Sequence, residues 1–300
     1  MATPLITGTS TPDPEEWPLA SPAPRGGILE VFRRRYLLKL VVKRQLAQQY
    51  SASFLGFMWS YVQPLIRFLV YYFAVGMVLK AHVDTPYFAI HLLAGMVMVH
   101  FFNEAVGGGM RSIWSNRRLV KKMALPRETF PVAAVMIGAF HTVPQIVLLA
   151  GACLIIGFSP DLTGLAAGVL GLAVLMVFGS ALAILFSAMN VFFRDLQNFI
   201  GTLLGFMHFM VPMLYDYRRI ADSAIGGTIG EEIYLANPVA QGVLLMQRFF
   251  WSGVVQDPSL TLYPDHLLLR GLIMLGVGLV LLALAQLTFR RLESAFPERL

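Results

Sequence analysis

An all-α integral membrane protein is the fold class this sequence predicts. It has six transmembrane helices, both termini in the cytoplasm, an N-terminal interface helix and short external re-entrant helices before the last span. Three observations carry that expectation. Apolar residues make up 57% of the 300 residues and charged residues only 13%, against about a quarter charged in an average soluble domain. Six stretches, 58–79, 87–110, 131–158, 164–192, 198–216 and 266–289, are apolar over the roughly 20 residues that a helix needs to cross hydrocarbon. Lys and Arg collect on one side of those stretches.

The ends come first. Residues 1–27 contain six of the seventeen prolines with small polar and acidic residues, and they lack the basic start and apolar run of a signal peptide. They read as a disordered cytoplasmic tail. Segment 28–54 includes "RRRYLLKLVVKRQLAQQY". On a helical projection Leu37, Leu40 and Val41 share one side with Lys39 and Lys43 opposite, the pattern of a helix lying in the interface against anionic lipid. The other reading is a basic flank that only sets topology.

The spans follow, a six-helix membrane unit over 55–292. The third and fourth exceed the bilayer thickness and are expected to tilt. Gly95, Gly151, Gly171 and Gly179 suit close helix approach, although glycine is also simply common in such helices. Arg25, Arg33–Arg35, Lys39, Lys43 and Arg44 precede the first span, and Arg111, Arg117, Arg118, Lys121, Lys122 and Arg127 follow the second. Arg194 follows the fourth, and Arg290, Arg291 and Arg299 the sixth. The opposite side has Lys80, Arg218, Arg219, Arg248 and Arg270. The positive-inside bias therefore puts both ends and the loop 111–130 in the cytoplasm, with a tail over 293–300. The same bias and anionic lipid account for the basic pI, so no nucleic-acid partner is expected. The lone Cys153 excludes a disulfide or cysteine metal site within one chain. His91, His100, His141 and His208 lack ligand spacing and read as interhelical hydrogen-bonding groups.

Within "SNRRLVKKMALPRETFP", a helix puts Leu119 and Met123 one turn apart, with Arg117 and Arg118 one turn from Lys121 and Lys122. Pro126 ends it. Topology needs the charges alone; an ordered apolar face is what a docking helix for a soluble partner shows. Both readings stay open on this loop by itself. In the external segment 217–265, Asn237 and Pro238 read as N-cap and first helical position, with Gly253 able to close the far end. That helix, carrying Gln241, Gln247 and Arg248, is too short to span. A break in the backbone at such depth needs protein cover or a water-lined path, which points to an outer gate. Arg67 and Glu104, charged at membrane depth, are functional suspects. Their depths allow an ion pair; the alternative is that Arg67 snorkels. Tyr61, Phe68 and Tyr72 in the first span and Phe199, Phe206 and Phe209 in the fifth form aromatic stripes able to stack on sugars, or merely to pack between helices.

Four stretches taken in order, "KRQLAQQYSASFLGFMWSYVQPLI", "LLAGMVMVHFFNEAVGGGMRSIWSNRRLVKKMALPRETFP", "NVFFRDLQNFI" and "ANPVAQGVLLMQRFFW", resemble the permease subunit of ABC-2 type polysaccharide exporters, the Wzm/TagG family for O-antigen, teichoic acid or galactan. The resemblance runs over residues 36–290. Arg67 and the proline-rich tail depart from the family's pattern. What the resemblance implies is a homodimer forming a channel for a lipid-linked polysaccharide across the bacterial cytoplasmic membrane, with two copies of a separate ATPase that hold the ATP and Mg. It also implies that 116–126 is the coupling helix, with Leu119, Val120 and Met123 buried in the ATPase, and that Arg194 and Asp195 mark a second turn near that partner. The chain itself has no G-x-x-x-x-G-K-[ST], hence no P-loop, and is expected to be neither an enzyme nor a binder of any cofactor. An ABC-2 permease for a drug or lipid is the nearest alternative, and an ion-coupled secondary transporter a more distant one.

Overall fold

The computed structural model describes residues 27–51, 54, 56–122, 125–255 and 257–299. The tail expected over 1–27 lies outside the described residues except for Gly27, as does Met123. The chain is all-α. Helices α1 (Gly27–Arg33) and α2 (Arg35–Tyr50) lead to a 3-10 turn at Gly56–Met58 and then α3 (Trp59–Tyr71), which continues as a π-helical stretch over Tyr72–Val78. After α4 (Ala81–Asp84) come α5 (Phe88–Ser115), α6 (Arg117–Lys122), α7 (Thr129–Ile156), α8 (Leu162–Phe192) and α9 (Leu196–Phe206). The remainder is α10 (Arg218–Ala221), α11 (Ile229–Leu235), α12 (Pro238–Val255), α13 (Leu267–Glu293) and α14 (Phe296–Arg299). Five helical segments among the described residues are long and apolar enough to cross a membrane: Gly56–Val78, Phe88–Ser115, Thr129–Ile156, Leu162–Phe192 and Leu267–Glu293.

The stretch expected to be a sixth such helix, 198–216, behaves differently. Its helix stops at Phe206, and turns carry the chain on to Tyr217. Pro212 keeps the helix from resuming, because its ring would strike the carbonyl of His208 in a continuing helix and it has no N–H to donate. The segment nevertheless follows α5 along most of its length. Leu204 accepts from Asn103 Nδ2 at 3.2 Å, the backbone of Met213 lies against Gly95, and the Tyr215 carbonyl meets the His91 ring at 3.3 Å.

Helix α5 is the buried axis, and its small residues let others approach. A Cβ on Gly109 would come within 2.8 Å of Ala183 Cα on α8, and one on Gly95 within 3.2 Å of Met213 Cα. Gly171 and Gly179 are also close-packed, against Leu245 and Ala105, whereas Gly151 faces open space. Helix α13 runs parallel to α8, Gly271 meeting Leu170 and Gly278 meeting Phe178. Helix α12 runs antiparallel to α8, with Gly242 on Leu175, Phe249 on Gly168 and Gly253 on Phe158. Gly253 therefore lies inside α12 as a packing position and does not end it, contrary to the sequence expectation. Asn237 does cap the helix, its Oδ1 accepting from the Val239 N–H at 2.9 Å.

At the basic end, α1 and α2 turn Val31, Leu38 and Val41 into a core shared with α7, α8 and α13. Leu40, on the apolar side expected to face the lipid interface, is 51% exposed, while Val31 and Leu38 lead the contact with the core. The first span is different again. Helix α3 contains Pro64, packs sparsely, and leaves Leu65, Ile66, Leu69 and Val70 more than half exposed.

Candidate functional site: a basic coupling face, a polar seam and an outer gate

Three groups of residues lie along the bundle. At the basic end, α6 follows directly on α5, its first turn closed by the Asn116 carbonyl, which accepts from Leu119 and Val120 N–H. Val120 is only 7% exposed and joins the core of Ile113 and Phe130, with Leu119 packed against the same cluster. Val120 thus faces its own chain, while Leu119 stays half-exposed. In a helix this short at the foot of a bundle, the apolar side gains more by burial against its own chain. Arg117, Arg118 and Lys121 are the exposed side; Lys122 is the last helical residue. Arg194, from the α8–α9 turn, lies 4.0 Å above the Trp114 ring, and Arg117 lies 5.2 Å from the same ring. Two loops separated by almost 80 residues therefore share one indole. Arg194 points to that ring and not to Asp195, which is exposed beside it.

Above this end a polar seam joins four helices. The Tyr50 hydroxyl (α2) lies 2.7 Å from Ser60 Oγ (α3) and 2.6 Å from His141 Nε2 (α7). His141 Nδ1 in turn bonds Glu104 Oε1 (α5), and the other carboxylate oxygen has His100 Nε2 at 3.6 Å. Within the chain Glu104 is therefore paired with histidines and not with Arg67. Cavities lie along the seam. One of about 510 Å³ opens beside Gln45, Gln48, Arg111 and Asn116. The next, about 300 Å³, is walled by Gln49, Gln63, Glu104 and His141. A third, about 200 Å³, is lined by Tyr61, Arg67, Phe68, His100 and His208. Phe68 stacks on Tyr72 at 5.8 Å between centroids. Phe199, Phe206 and Phe209 are all more than half exposed on the α9 side, so Tyr61 and Phe68 of the first stripe line a cavity, Tyr72 packs between Phe68 and Phe88, and the second stripe is left uncovered by this chain. No cluster of three or more metal-ligand side chains occurs among the described residues.

The opposite end is held by ion pairs. Arg248 reaches both carboxylate oxygens of Asp161 at 3.1 and 2.7 Å and also Thr163 at 2.9 Å. Arg248, with help from Thr163, holds the Asp161 carboxyl down at about 2. Arg270 forks onto Glu232 at 2.7 and 2.8 Å, Arg219 meets Asp84 at 2.8 Å, and Tyr217 bonds Glu231. Gln241 is 1% exposed and donates to the Leu235 carbonyl at 3.0 Å. Gln247 donates to the Pro212 carbonyl at 2.7 Å, a group the proline break has freed. Reasoning from the sequence missed Trp114, Tyr50 and Asp161. Only Trp114 carried a local signal, an aromatic one turn from the Arg pair.

The match to known proteins follows the same span. The ABC-2 type transporter family model matches residues 36–247, from α2 to the middle of α12. Two permease proteins named RfbA of O-antigen export systems from Klebsiella pneumoniae are each 26% identical, over 263 and 265 residues, covering 87% of this chain and 94% of theirs. One from Myxococcus xanthus is 27% identical over 231 residues, 77% of this chain and 86% of its own. With more than half its length in the family match, and with five helical segments among the described residues long and apolar enough to cross a membrane, the chain belongs to the ABC-2 type transporter family as a membrane permease subunit.

Proposed function

We propose that two copies of this chain form a channel that exports a lipid-linked polysaccharide across the bacterial cytoplasmic membrane, driven by ATP hydrolysis in two copies of a separate ATPase. The observation that supports it most is the similarity to O-antigen export permeases over 87% of the chain. In this reading both termini are cytoplasmic, α1 and α2 lie in the interface, and 196–216 is the sixth membrane crossing, fifth in order. Helices α11 and α12 form a re-entrant hairpin, because Asn237 reaches the Met210 carbonyl while Gly253 lies beside the α7–α8 loop. The aromatic stripes line the path, and Asn237, Pro238, Gln241 and Arg248 belong to the outer gate. The ATPase meets Arg117, Arg118, Lys121 and Lys122 together with the Arg194–Asp195 turn. Charge complementarity to an acidic groove suits that contact.

The test is a pull-down of tagged chain from native membranes in mild detergent, wild type beside Arg118→Glu/Lys121→Glu. A near-stoichiometric ATPase with wild type, lost in the variant, is expected, together with loss of surface polysaccharide when the gene is deleted. A wild-type oligomer that brings down no ATPase sinks the reading.

A further inference from the structure

Glu104 is only half satisfied. Its Oε1 is bonded by His141 Nδ1, but Oε2 is buried and no donor of the chain reaches it. His100 Nε2 stands 3.6 Å from that pair of oxygens at its nearest, on the Oε2 side, beyond hydrogen-bond distance. A buried carboxylate oxygen is costly to leave so unless a donor from outside the chain meets it. The cavity of about 300 Å³ supplies the room, and Glu104 is the one acid among its described lining residues. No Lys or Arg joins that wall; Arg67 and Arg111 belong to the cavities on either side. Trp59 and Tyr50 do join it, and their rings are of the kind that attract cations. Phe57 packs edge-on to Tyr50 and Tyr61, at 5.7 and 5.4 Å between centroids, and gives the space an apolar border.

A neutral hydroxyl can donate to Oε2, but only a cation also offsets a carboxylate that has no Lys or Arg partner in a poorly solvated place. A quaternary cation has no N–H to donate. A primary ammonium meets both demands. The volume suffices, since a cavity of about 150 Å³ accommodates benzene. Access exists as well: Trp59 is 42% exposed, and Glu104 also walls the cavity that opens at the basic end.

We propose that Glu104, Trp59 and Tyr50 form a binding site for a primary ammonium group carried on an apolar body. The site goes beyond the export reading and stands or falls without it. Such an ammonium has two sources, a free arylalkylamine or the ethanolamine head group of a membrane lipid.

The test uses the full chain in phosphatidylcholine nanodiscs, with empty nanodiscs as the blank. They are titrated calorimetrically with 2-phenylethylamine, 2-phenylethanol and 3-phenylpropanoate. Wild type is expected to bind the amine saturably, the alcohol about tenfold or more weakly, and the carboxylate not at all. Glu104→Gln keeps the shape and removes the charge, so it should weaken the amine about tenfold or more and leave the alcohol unchanged. Should Glu104→Gln fail by size-exclusion profile, Trp59→Leu decides, with a loss of about two- to fivefold expected from the missing cation–π contact. Nanodiscs that also contain phosphatidylethanolamine separate the sources: a weaker apparent affinity for the amine assigns the site to the lipid head group, and an unchanged one assigns it to a free amine. A wild type that binds no amine saturably, that binds amine and alcohol alike, or whose affinity ignores Glu104→Gln overturns the site and leaves water as the partner of Oε2.

Discussion

Arg194 and Trp114 are stacked, guanidinium over indole at 4.0 Å, across the gap between the α8–α9 turn and the end of α5. Arg117 approaches the same ring at 5.2 Å. One indole on α5 thus touches both the start of α6 and the turn that leads into α9.

Trp114→Ala is expected to loosen that link. A cation–π contact at an exposed site is worth only about 0.5–1 kcal/mol, so folding should barely change. In the proposed complex, ATPase co-purification should persist while substrate-stimulated hydrolysis falls, and Trp114→Phe should retain most of it. An unchanged hydrolysis rate in Trp114→Ala would show that the indole transmits nothing.

Glu104 and His141 should be energetically coupled. Residues within one hydrogen-bonded network show interaction energies of about 0.5–3 kcal/mol. A double-mutant cycle of Glu104→Gln and His141→Phe, read by thermal unfolding in detergent, should land in that range. The charge exchange Arg67→Glu/Glu104→Arg should fail to restore either single variant, since Glu104 already has its partners on α5 and α7. Additive single effects would mean the pair is incidental.

The Asp161–Arg248 pair predicts a pH dependence with a definite sign. The folded carboxyl titrates at about 2 against an ordinary 3.8, held down first by Arg248. Its contribution is therefore fully present above about pH 4 and is lost as pH falls toward 2. Because the carboxylate is exposed, the effect is small, under about 1 kcal/mol. The melting temperatures of wild type and Asp161→Asn should differ by a constant small amount from pH 7 to 4 and converge below that. A gap that widened on acidification would contradict the assignment.

Much of this architecture was legible because hydrocarbon imposes a simple rule. Runs of apolar residues announced the five long segments to within a few residues, and Asn237–Pro238 announced the start of α12, since a cap is a local device. What was not legible depended on distant partners. The stop at Phe206 falls six residues before Pro212, within a stretch whose apolarity does not change, so no local breaker marks it. The direction of Val120 could not be read from periodicity, because an amphipathic turn fits its own core or a foreign groove equally well. Glu104 was visible as an intramembrane acid, but its choice of His141 over Arg67 depends on how α5 and α7 are rotated. Arg248 was placed in a gate by its neighbourhood; its partner Asp161 lies 87 residues away and no spacing rule connects them.

The last prediction concerns helix approach along the buried axis. Gly109 has Ala183 Cα where a side chain would begin, at 2.8 Å, and the obstacle is largely helix backbone. Gly109→Val adds bulk that neither α5 nor α8 can accommodate by a rotamer change. Overpacking of this kind costs about 1–3 kcal/mol or more, and here it must push apart the two helices on which both the polar seam and α12 are seated. Gly151→Ala, by contrast, meets nothing within 4 Å on the open face of α7 and replaces a poor helix former by a good one. It should be neutral or stabilising by up to about 1 kcal/mol. Expression level and melting temperature of the two variants in detergent should therefore move in opposite directions. If Gly109→Val were tolerated as well as Gly151→Ala, α5 and α8 would have to be farther apart than this packing requires, and the Asn190-to-Met110 carbonyl bond between them, 3.2 Å long, would be lost with it.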